Sequence, residues 1–97
     1  MTKLKLVENL RAAIQEWIQQ HNIELALLEV NPTGIDLNVQ IIVVARQGFE
    51  NWPAVDRYQS LYKYLRTKLS EAGVVNMMSL ITMAEEEYDQ YDRVEVL

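Results

Sequence analysis

The chain has 97 residues, the size of one domain, with nine Lys plus Arg against fourteen Asp plus Glu and a net charge of −5. Hydrophobic residues make up 49 % of it and charged ones 24 %, an ordinary globular balance. There is no Cys, which excludes disulfides, thiolate metal sites and a cysteine nucleophile. The longest apolar run, Ile41 to Ala45, is far shorter than the roughly 20 residues that cross a bilayer.

From Lys3 to His21, apolar residues recur at Leu6, Leu10, Ile14, Trp17 and Ile18, with Ala13 beside them. That spacing predicts a helix with one buried stripe. Asn22 follows and suits the left-handed residue that ends a helix. Glu8 and Arg11 interrupt the apolar stretch that a signal peptide needs, so the expected setting is the cytoplasm.

Ile23 to Val30 is rich in branched apolar residues and predicts a strand. Asn31-Pro32-Thr33-Gly34 fits a type I turn. Ile35 to Ala45 alternates at first and is apolar on both faces by Ile42 and Val44, as expected of a strand covered on both sides or lying mid-sheet. The two strands predict a hairpin.

Arg46 to Pro53 is a loop carrying Gly48, Phe49 and Trp52. The two aromatics are expected to close the small core. Pro53 as first helical residue and Asp56 in the first turn announce a second helix. Its expected stripe is Val55, Tyr58, Leu61, Tyr62, Leu65 and Leu69, with Gly73 as its cap. Val74 to Met83 predicts a third strand. Thr82 with Glu85 forms a capping-box pattern for a short acidic helix to about Tyr91. The sum is an α+β domain, helix-strand-strand-helix-strand-helix, with a three-stranded mixed sheet and helices packed on one face. The long second helix is the crossover that makes strand three parallel to strand two. Residues 1–91 form the domain and 92–97 an acidic tail.

Residues 84–97 carry Glu85, Glu86, Glu87, Asp89, Asp92 and Glu95 against Arg93 alone. All the excess negative charge therefore lies there. The consecutive glutamates diverge on a helix and do not converge on a metal ion. His21 is the only histidine and falls at a helix end. None of Ser60, Ser70 and Ser79 sits on a strand-to-helix elbow beside a Gly-rich loop. The glycines at 34, 48 and 73 make no phosphate loop. Neither catalytic residues nor a resident cofactor are expected.

Phe49 is followed eight positions later by Arg57, and that by Tyr62, Leu65 and Leu69. Val75-Asn76-Met77-Met78-Ser79-Leu80 then leads to Thr82 and Glu87-Tyr88. With the order of elements, this pattern resembles the BolA family from about Val7 to Tyr91. That family shares its layout with type II KH domains. The resemblance implies a small non-enzymatic adaptor or regulator whose partner is a monothiol glutaredoxin, in iron–sulfur and redox regulation. It points to Phe49, Trp52, Arg57 and Asn76 as partner-binding residues. Asn76 stands where the family has a cluster-ligating His, and Asn31-Pro32-Thr33-Gly34 replaces the loop that can carry a second ligand.

Two other readings stand beside it. The KH-like layout with Arg57, Lys63, Arg66 and Lys68 suggests a nucleic-acid-binding transcriptional regulator. Those four bases do not share one helical stripe, and the chain lacks the Gly-x-x-Gly clamp. Ile42, Val44, Phe49, Trp52 and the methionines 77, 78 and 83 suggest a dimerising module. No membrane partner is expected.

Overall fold

The computed structural model describes residues 3–32, 39–69 and 78–96. The elements run α1 (Lys3–Gln20), β1 (Glu24–Pro32), β2 (Val39–Gln47), α2 (Ala54–Lys68), β3 (Met78–Ala84) and α3 (Glu85–Val96). The fold is α+β in the expected order. The sheet order is β1-β2-β3, with β1 antiparallel to β2 and β3 parallel to it.

Helix α1 buries Leu6, Leu10, Ala13, Ile14, Trp17 and Ile18, the stripe that its spacing dictates. It ends as expected at Asn22, whose φ is 54°. The Asn22 N–H donates to Gln19 O at 3.2 Å and the Ile23 N–H to Ile18 O at 3.0 Å. These two bonds form a Schellman motif. Ile18 and Ile23, both buried in the same core, supply the apolar contact that accompanies it.

Strand β2 is central, which explains its two apolar faces. Val39, Ile41, Val43 and Ala45 pack with α1, Leu61 and Leu65 of α2, and Phe49. Ile42 and Val44 turn the other way and pack with Met83, Ala26, Leu27 and Ile81. Tyr88 of α3 joins this second cluster. The side chains of α1 and α2 thus serve one face, and α3 adds one aromatic to the other.

Several boundaries differ from expectation. Asn31 and Pro32 pair with Gln40 and Val39 and extend β1, so the turn cannot begin at Asn31. An edge strand tolerates a proline because its outer side needs no donor. The rest of that turn, the start predicted for β2 and the Gly73 cap lie outside the described residues. Pro53 is the N-cap of α2 and not its first helical residue. The N-cap of α3 lies two residues later than expected, at Ala84, and only the glutamate half of a capping box is made. The Ala84 N–H donates to Glu87 Oε1 at 2.7 Å, whereas Thr82 is buried within β3. Helix α3 continues past Tyr91 to Val96.

The stripe of α2 is also rotated. Its buried residues are Arg57, Leu61 and Leu65, whereas Val55 is 65 % exposed and Tyr58 40 %. Both sets have helical spacing. An arginine with a long apolar stem can take an inward position when its head finds partners, and Arg57 does.

Candidate functional site

The loop between β2 and α2 is built on two positive-φ residues, Gly48 at 113° and Asn51 at 62°. A Cβ on Gly48 would stand 2.9 Å from Ile23 Cα, so the approach of the loop to the start of β1 requires glycine. The Gly48 N–H donates to Glu50 Oε2 at 2.8 Å, and the Trp52 N–H to Phe49 O at 3.2 Å. This tight path turns Phe49 inward, where it is 5 % exposed, and lays Trp52 against the end of α1.

An aromatic corner results. Trp52 stacks on Trp17 with ring centres 5.5 Å apart and meets Phe49 edge-on at 6.0 Å. His21 lies 5.1 Å from Trp17 and 5.0 Å from Trp52. The Trp17 Nε1–H donates to Ser60 Oγ at 3.1 Å, tying α1 to α2. Phe49 and Trp52 therefore close the core as the sequence suggests. Ser60 serves as an acceptor for Trp17.

Arg57 completes the corner from α2. Its guanidinium carbon lies 4.7 Å from the centre of the Phe49 ring, a cation–π distance. Its Nη1–H donates to Glu87 Oε1 at 3.2 Å. The Nε is buried without a hydrogen-bond partner. The same Glu87 oxygen accepts from the Ala84 backbone N–H and from the Arg57 Nη1–H. The Ala84 bond, more than Arg57, holds the Glu87 carboxyl below the usual carboxylate range, against the opposing pull of desolvation.

Phe49, Trp52 and Arg57 are thus brought together, and Asn76 lies outside the described residues. The four bases are divided. Arg57 is buried, while Lys63, Arg66 and Lys68 are exposed. Lys68 Nζ sits 3.5 Å from Glu16 and 5.6 Å from the centre of the Tyr64 ring. Lys63 lines a groove of about 270 Å³ between α1 and α2 with Trp17, His21, Ser60, Tyr64 and Thr67.

Glu85 and Glu86 line a cleft of about 260 Å³ with Ala45, Arg46, Phe49 and Glu50. Arg46 pairs there with Glu24 at 3.4 Å and Glu85 at 3.7 Å. Among the described residues no group of three His, Cys, Asp or Glu is placed to hold a metal ion. An iron–sulfur cluster of the kind the resemblance suggests does not fit this chain's own donors. The chain has no Cys, and its one imidazole is packed against Trp17 and Trp52.

Sequence periodicity misses a third feature. Val55 and Tyr58, displaced from the core, line an apolar groove of about 300 Å³ with Ala54 of α2 and Leu80, Ile81 and Thr82 of β3. Two of the three large apolar side chains found exposed among the described residues are here. The signal is Arg57 itself, which takes the inward position four residues before Leu61 and so turns its neighbours outward. No helix among the described residues is long and apolar enough to cross a membrane. No known protein family, curated protein or solved structure matches this chain.

Proposed function

We propose that this chain is a small non-enzymatic adaptor of BolA type, working by protein contact in the cytoplasm, with a monothiol glutaredoxin as partner. The observation that carries the contact reading is the groove of Val55, Tyr58, Leu80 and Ile81. Solvent-facing apolar side chains gathered beside an edge strand are the usual anchors of a protein contact. The polar residues that could suggest chemistry have structural partners instead. Arg57 holds Glu87, Ser60 accepts from Trp17, and Glu87 caps α3.

The glutaredoxin follows from the BolA resemblance, which the order of elements supports. A cluster shared with it would draw its thiolates from the partner, since this chain has none. Co-expression with a monothiol glutaredoxin, followed by size-exclusion chromatography and visible absorbance, tests the reading. Co-elution that is lost in Val55→Lys is expected. Separate elution of the two proteins overturns the assignment of that partner.

A further inference from the structure

The groove between α1 and α2 is separate from the contact surface proposed above. Trp17 and His21 line it from the end of α1, and Ser60, Lys63, Tyr64 and Thr67 from α2. The four α2 residues fall at i, i+3, i+4 and i+7, one stripe of a helix. None of the six lines the groove of Val55 and Tyr58.

Its walls are rings held in place. The Trp17 Nε1–H donates to Ser60 Oγ at 3.1 Å. The Tyr64 hydroxyl donates to Glu16 Oε1 at 3.0 Å and accepts from Gln20 Nε2–H at 3.3 Å. His21 packs 5.1 Å from Trp17 and 5.0 Å from Trp52. Three aromatic side chains thus keep their positions with no ligand present, which is the pre-formed, mostly apolar setting of a small-molecule site.

Hydrogen bonding gives the ligand its sign. The acceptors around the groove are engaged. Ser60 Oγ accepts from Trp17, and the Glu16 oxygen that Tyr64 reaches also lies 3.5 Å from Lys68 Nζ. The donors differ. The Thr67 hydroxyl donates to Lys63 O at 2.9 Å, but the Lys63 ammonium makes no ion pair among the described residues. The Ser60 hydroxyl hydrogen finds no acceptor among them either. Residues 60 and 63 are neighbours on one helix face. An ammonium beside a hydroxyl, both lacking acceptors, is complementary to an anion.

We infer that this groove binds a small aromatic carboxylate, its ring against Trp17, His21 and Tyr64 and its carboxylate on Lys63 Nζ and Ser60 Oγ. Size limits the ring. An apolar cavity of about 150 Å³ accepts benzene, and the groove holds about 270 Å³, room for one ring with its acid group. Charge limits the acid. One free ammonium balances one carboxylate, and Lys68 is already held by Glu16, so a phosphate dianion would keep an uncompensated charge. The site does not rest on the adaptor reading, and a chain that fails to bind a glutaredoxin would keep it.

The test titrates benzoate and phenylacetate into the full chain, followed by calorimetry and by backbone and indole NMR shifts. Ligands of this size should bind with Kd of about 0.1–1 mM. Shifts should gather at the Trp17 indole N–H and along residues 60–67. Benzamide, which keeps the ring without the charge, and acetate, which keeps the charge without the ring, should each bind about tenfold more weakly. Lys63 is exposed, so Lys63→Met keeps the fold. It should weaken benzoate about tenfold and leave benzamide unchanged, a split that a merely distorted groove would not produce. Thr67→Trp should fill the groove and abolish binding of every ligand. Val55→Lys should bind benzoate as the wild type does.

Absence of shifts with both acids well above that concentration range overturns the inference. So does benzoate binding that Lys63→Met leaves intact, or shifts that gather outside the groove. If benzoate is silent and an acidic tyrosine-containing peptide binds through Lys63, the groove is a protein contact and the small-ligand site falls.

Discussion

Arg57 holds its guanidinium 4.7 Å from the centre of the Phe49 ring, inside the core and not on the surface of α2. The ion pair it makes there is lopsided. The Arg57 side chain is 6 % exposed and that of Glu87 is 49 %. Removing either partner should therefore have unequal effects. Arg57→Met keeps the apolar stem, removes the unpartnered Nε, and leaves Glu87 solvated and still capping α3. It should change stability by no more than about 1 kcal/mol, because a well-packed apolar side chain commonly replaces a buried ion without loss. Glu87→Ala strands a buried cation and removes the Ala84 cap, and should cost about 3 kcal/mol. In the double variant most of that loss should disappear. Urea unfolding of the three variants measures it, and equal single losses would contradict a buried arginine.

Acid should act on the same pair. Glu87 has a folded-state pKa below its unfolded value, first because of the Ala84 N–H and then because of Arg57. The folded chain therefore binds fewer protons than the unfolded chain between those two values. The stabilisation is complete above the ordinary glutamate value of about 4.3 and is lost as pH falls through the lower folded value. Glu50 adds a slope of the same sign through the Gly48 N–H and its own. Thermal unfolding of wild type and Glu87→Gln between about pH 6 and pH 3 should show a shallower acid slope in the variant. Identical slopes would remove Glu87 from the account.

Gly48 holds the loop that carries Phe49 and Trp52. Its φ of 113° is one that side-chain-bearing residues rarely adopt, and the clash that a Cβ meets is with backbone at Ile23. Neither can be relieved by turning a side chain. Gly48→Ala should cost about 2–3 kcal/mol. It should also disturb the near-ultraviolet signal of the Trp17–Trp52 stack, since Phe49 and Trp52 follow the same loop. A stable variant with an unaltered aromatic spectrum would show that the loop has room to shift.

Local pattern controls the part of the fold that is legible in the sequence. Helix α1 is legible whole, its left-handed Asn22 included, because one face of 3.6-residue periodicity and one capping residue suffice. Strand β2 announces its central place through the apolar pairs at Ile41–Ile42 and Val43–Val44. The order of elements then leaves few topologies. Periodicity misreads the α2 face because Val55-Tyr58-Leu61-Tyr62-Leu65 and Arg57-Leu61-Leu65 are equally helical in spacing. Hydropathy places an arginine outside, and only Phe49 and Glu87, eight and thirty residues away, bring it in. Residue type sets the cap of α3 two residues early for a related reason. Thr82 is a good N-cap by type, but it lies in β3 beside Val43. The Trp17–Ser60 bond spans 43 residues and leaves no local trace at all.

The rotated face of α2 makes a prediction that separates the two stripes directly. If Val55 and Tyr58 belonged to the core, a lysine at either would bury a charge and unfold the domain. As placed, they stand 65 % and 40 % exposed. Val55→Lys and Tyr58→Lys should each change the stability of the isolated chain by within about 0.5 kcal/mol. Leu61 and Leu65 are fully buried on the opposite side, and Leu61→Ala should cost about 3 kcal/mol in transfer and cavity terms. Tyr58 also stacks on Tyr62 at 5.7 Å, so its variant should sit at the less stable end of that range. Denaturant unfolding of the isolated chain and of each variant measures these differences. A loss of several kcal/mol at Val55 under those conditions would return that residue to the core and take the groove, with everything built on it, off the surface.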